Sequence, residues 1–147
     1  MRRRILAFFV LATLALDAQG AEAYGRARLL FNLQDETIGE SSGVASYSRS
    51  SAVLFTHNDS GDGPRFFAIG KRGETLATYV VLGAVSADWE DMARGPGGDG
   101  EPALYFGDIG DNFRSRPFVT VYEVPEPTLA PEPLPVPVRF ASVRRLQ

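Results

Sequence analysis

The pattern Asp-x-Gly-Asp occurs twice in this chain, as Asp59-Ser60-Gly61-Asp62 and Asp108-Ile109-Gly110-Asp111. The copies stand about 50 residues apart, the length of one propeller repeat. Another acidic stretch, Asp88-Trp89-Glu90-Asp91, lies between them, and His57-Asn58 precedes the first copy. Carboxylates that a fold brings together repel and raise one another's pKa. A hard cation relieves that repulsion, and calcium takes about six to eight oxygens from Asp, Glu, Asn and backbone carbonyls. Neither loop has the full spacing of an EF-hand calcium loop. Asp and Asn also build tight turns with Gly at positive φ, so turn formation and cation binding both stay open for each residue.

The elements that position these groups read as short strands. Helical periodicity is nearly absent, and β-branched and aromatic runs alternate with Gly, Asp, Asn and Pro clusters, which predicts an all-β fold. Ala27–Leu33 reads as a lead-in strand. Four strands follow, near Gly43–Tyr47, Ala52–Thr56, Arg65–Ile69 and Thr75–Leu82, and four more near Trp89–Arg94, Ala103–Phe106, Phe118–Val124 and Val138–Leu146. Two antiparallel four-stranded meanders in tandem are two blades of a β-propeller, at about residues 40–83 and 88–147. The proline-rich connection 125–137 reads as a stiff surface segment, since Pro cannot donate to a ladder. A closed propeller takes about four to eight blades. Part of a longer propeller is therefore expected, with missing blades or a second chain covering the sheet edges.

In such a blade the second–third loop and the entry to the first strand share one rim. The expected metal ligands on that rim are Glu40, Asp59, Asp62, Asp88, Glu90, Asp91, Asp108, Asp111 and Asn112. Asn58, Trp89, Arg114 and Arg116 are candidates for binding a ligand. A catalytic role is unassigned, with His57, Asp59 and Asp108 the residues that would carry one. The bland readings are a hydrogen-bonded His57, a Trp89 packed between blades and solvated loop arginines. Ser41, Ser42 and Ser60 lack the G-x-S-x-G elbow of a hydrolase nucleophile. Gly95 to Gly100 lacks the Lys and following helix of a phosphate cradle.

Arg2-Arg3-Arg4, the apolar run Ile5–Leu16 and Ala21-Glu22-Ala23 have the form of a secretory signal peptide. This divides the chain into a signal helix, 1–23, and a propeller domain, 24–147. It predicts a secreted or periplasmic protein with no stable membrane insertion after cleavage. The chain has no Cys, so its stability must come from its core or from ions. The net charge is −3, and loss of residues 1–23 makes it more acidic. That disfavours nucleic acid as a partner and suits cations, a small polar ligand or another exported protein.

Three segments carry a family resemblance: His57-Asn58-Asp59-Ser60-Gly61-Asp62, Asp88-Trp89-Glu90-Asp91-Met92-Ala93 and Gly107-Asp108-Ile109-Gly110-Asp111-Asn112. In this order they resemble a group of exported bacterial β-propeller proteins similar to the phytase-like and six-bladed TolB-like propellers. The likeness covers roughly 36–125, the opening of such a propeller. It implies either a binding or scaffold module with calcium on the acidic rim, or calcium-assisted phosphoester or ester hydrolysis. Fold analogy does not choose between them.

Overall fold

The computed structural model describes residues 25–129, 136–139 and 142–146. The expected signal helix lies outside the described residues. The strands are β1 (Ser41–Ser46), β2 (Leu54–Asn58), β3 (Arg65–Ile69), β4 (Thr75–Leu82), β5 (Trp89–Pro96), β6 (Pro102–Asp108), β7 (Val119–Pro125), β8 (Val136–Arg139) and β9 (Ser142–Leu146). The described residues contain no helix. One sheet has the order β1-β2-β3-β4-β8 and the other β5-β6-β7-β9.

Two expectations are corrected. The segment at 27–33 is not a strand. It covers a face instead of extending an edge: Phe31 packs against Ile38, Phe67 and Ile69, and Gln34 donates from its backbone N to Gly73 O at 3.0 Å. The single strand expected at Val138–Leu146 is two strands in different sheets. β9 pairs antiparallel with β7, whereas β8 pairs parallel with β4. β8 includes Pro137, whose missing N–H is tolerated at a sheet edge.

The sheets pack face to face over one apolar core. Ala45, Phe55, Phe66, Tyr79 and Val81 from the first sheet meet Trp89, Met92, Leu104, Phe106 and Val124 from the second. Aromatic rings bridge the seam. Phe66 lies 5.0 Å from Phe106 between ring centroids, and His57 stands edge-on to Trp89 at 5.6 Å. Buried rings of this size dominate core energetics, and losing one costs about 3–5 kcal/mol. At the far end of the seam, Glu126 binds the backbone N and the hydroxyl of Ser48, tying the β1–β2 turn to the end of β7.

The sheets approach closely at Gly43, beside β5. A Cβ on Gly43 would stand 2.4 Å from Met92 N, 2.8 Å from Asp91 C and 2.6 Å from His57 Nε2. Both entry strands break their register there, between Ser41 and Val44 in β1 and between Trp89 and Asp91 in β5. Each irregularity sets an extra residue against the partner strand, which re-aims local side chains. Ser42, in the first, donates to Glu90 O, in the second, at 2.6 Å. Because the atoms facing Gly43 are mostly backbone, Gly43→Ala should destabilise the fold by about 1–3 kcal/mol. Urea denaturation followed by far-ultraviolet circular dichroism checks this.

Candidate functional site

Asp59 follows β2. Asp88 and Glu90 flank Trp89 at the start of β5. One carboxylate oxygen from each of the three lies within 4.8 Å of the others. Oxygens on opposite sides of one calcium ion stand roughly 5 Å apart, twice the usual Ca–O distance. The spacing therefore fits a shared cation, and this triad could hold a metal ion.

The second Asp-x-Gly-Asp loop builds the wall behind it. Gly110 N donates to Asp88 O at 3.1 Å. A Cβ on Gly110 would fall 2.3 Å from Asp88 Oδ2 and 2.4 Å from Glu90 Oε1, so only glycine lets the two carboxylates converge there. The expected positive φ holds for Gly61, at 91°, but Gly110 is not among the positive-φ residues. The two glycines of the repeated motif do different work.

Two buried polar atoms at this end of the seam have no hydrogen-bond partner. Asp88 is 8 % exposed, and its Oδ1 has no hydrogen-bond partner. Its other oxygen accepts from Asn112 Nδ2 at 3.3 Å. His57 is wholly buried, with Nδ1 2.8 Å from Asn58 O. A carbonyl only accepts, so Nδ1 carries a proton. The ring's Nε2 also has no partner. Buried polar groups are nearly always satisfied, and what suits the Asp88 oxygen is a donor or a cation. Burial pushes the Glu90 carboxyl above its ordinary value, and the charges of Asp59 and Asp88 push it further, with His57 opposing.

The remaining rim residues have hydrogen-bond partners within the scaffold. Asp62 accepts from Arg65 Nε at 2.8 Å, Asn58 Nδ2 at 2.7 Å and Gly63 N at 2.7 Å. Burial raises its pKa, but these bonds outweigh burial and hold it below the usual value. Asp111 accepts from Ser115 N and Arg116 N, both at 2.9 Å, and is held low by those bonds. Asp108 is buried against Arg116 Nη1 at 2.8 Å and accepts from Asp88 N at 2.9 Å. Asp91 accepts from Met92 N at 2.8 Å. Glu40 is exposed and enters through its backbone: its N donates to Asn58 Oδ1 at 3.2 Å, and its O accepts from Asp59 N at 2.9 Å.

The residues expected to bind a ligand are placed as follows. Trp89 is fully buried and donates to Val85 O at 3.1 Å, so no ligand can stack on it. Asn58 also donates to Thr37 O at 2.8 Å and is structural. Arg116 is engaged by Asp108 and by Gly110 O at 2.7 Å. Arg114 is exposed and sits at φ 52°, inside the loop that Asp111 staples.

The repeat itself is offset from its motif. Asn58 pairs with Ser41, and Asp108 pairs with Trp89. Each accepts a hydrogen bond from the backbone N just before the entry strand, that of Glu40 or Asp88. Asn58 and Asp108 are therefore counterparts, and Asp59 corresponds to Ile109. Asp59 is free to meet the second sheet because its neighbour Asn58 does the bracing. Gly43, Gly110 and Ser42 were missed as site builders; the glycine in each acidic motif or entry turn was the available signal. Beside Asp88 opens a cavity of about 210 Å³ lined by Ser60, Asn112 and Phe113. No family model, curated protein or solved structure matches this chain.

A raised carboxyl pKa opposes folding above that pKa, and the penalty vanishes once the group is protonated in both states. Glu90→Gln should therefore stabilise the protein at neutral pH in chelator. The gain should fade as pH falls to the ordinary value of 4.5. Asp62 and Asp111 have the opposite sign: their contribution is present above the ordinary 3.8 and is lost as pH falls below it. Urea midpoints across the acid range for both proteins check this.

Proposed function

We propose that this protein is an exported β-propeller binding module whose two sheets are successive blades and whose rim holds a calcium-like divalent cation. The observation that carries the reading is the convergence of Asp59, Asp88 and Glu90, with Asp88 Oδ1 buried and undonated. All three supply oxygen, the donor that hard cations prefer. The ion would cancel the mutual repulsion that raises the Glu90 pKa. Water or oxygens of a small polar ligand would complete its shell, entering through the cavity beside Asp88. Export rests on the signal-like N-terminus, and the propeller reading rests on two stacked antiparallel meanders. The binding role is favoured over phosphoester or ester hydrolysis by two observations. His57 is enclosed in the core, and Arg116 is already paired with Asp108.

A ligand that binds only the folded state stabilises it by about 2.7 kcal/mol at a hundred times its Kd. Millimolar calcium should therefore raise the melting temperature of the wild type above its value in chelator. Asp59→Asn and Asp88→Asn should remove that increment. Asp62→Asn and Asp111→Asn should keep it while lowering the baseline. A wild type indifferent to millimolar calcium would overturn the cation assignment.

A further inference from the structure

The sheets are stacked front to back, and each leaves uncovered the kind of face its neighbour buries. Ala45 opposes Phe55 in the first sheet, and the counterpart pair in the second is Ala93 opposite Tyr105. Ala45 and Phe55 are buried in the seam, whereas Ala93 is exposed and Tyr105 half-buried on the outer face of the second sheet. Tyr105 lies over Gly95, with a Cβ there 3.2 Å from its ring, and its hydroxyl donates to Pro96 O at 2.5 Å.

The converse holds on the other face. Met92 and Leu104 are buried in the seam, and the same registers place Val44 and Leu54 at the corresponding positions of the first sheet. Yet Val44 is 58 % exposed and Leu54 half-buried. The segment at 31–38 covers only the β3 side of that outer face. Between it and Val44 lies an apolar cavity of about 170 Å³, lined by Phe31, Leu33, Leu54 and Ile69. Apolar character thus persists at positions that the described residues leave open. The surface shaped to cover the Val44–Leu54 face is a small-plus-aromatic face, and Ala93–Tyr105 is one.

We propose that the outer face of the first sheet docks the outer face of the second sheet of another copy of this chain, head to tail. The contact repeats the internal seam and is independent of the cation. Because the two faces differ, the interface is heterologous, and it grows into a closed ring or an open row.

The test is sedimentation of the purified chain from micromolar to millimolar concentration, with Val44→Asp and Ala93→Arg beside the wild type. Both sites are exposed, and unchanged melting temperatures establish that the variants fold. The wild type should gain mass with concentration, and each variant alone should stay monomeric. An equimolar mixture of the two variants should form a one-to-one dimer, since each keeps the face the other has lost. A wild type that stays monomeric, whether another part of the chain covers Val44 or water does, overturns the proposal. So does a mixture that stays monomeric while the wild type associates, because a heterologous contact would survive between the two variants.

Discussion

The distance between the two sheets rests on one missing side chain. Gly43 lets β1 come within contact of the β5 backbone, and the aromatic seam can close only at that separation. If the sheets stood a methyl group further apart, the bridging rings would lose much of their dispersion contact, which falls steeply with a gap of under an ångström. The acidic triad has the same dependence. Asp59 follows a strand of one sheet, and Asp88 and Glu90 stand at the entry to the other, so their convergence depends on the seam as well as on the Gly110 loop.

The carboxylates around the seam divide by partner. Asp62, Asp108 and Asp111 each receive an arginine or backbone N–H groups, and these bonds brace the loops. Asp59, Asp88 and Glu90 face one another, although Asp59 also accepts from Ser60 N and Asp88 from Asn112 Nδ2. Like charges held close cost free energy unless protonated or neutralised, so the fold retains an unfavourable cluster within a rim that otherwise pairs its acids. Strain left at one place in a consistent framework is the usual mark of a functional site.

Local signals made much of the framework legible. β3 and β4 have the limits expected from their alternating runs, because Pro64, Gly70 and Gly83 punctuate them. Trp89 was recognisable as a packing residue, and the acidic rim as a gathering of distant carboxylates. What was not legible depends on tertiary choice. Nothing local distinguishes a strand at 27–33 from an extended segment lying on a face. The division of the last strand depends on partners distant in the chain, with Val138 beside Val81 and Arg144 beside Val121. The motif alignment set Asp59 against Asp108, and only the ladder register shows that Asn58 takes that place. Gly110 is identical in type to Gly61, yet one clears space for carboxylates and the other turns the chain.

Trp89 is the only tryptophan, and it stacks on Phe106 at 4.8 Å and meets His57 edge-on. The chain therefore carries a single indole fluorophore, lodged where the two sheets and the acidic triad meet. Its emission is a native optical reporter of that junction alone. Intensity and wavelength follow whether the sheets are apposed and how the neighbouring charges are arranged, with no other indole in the chain.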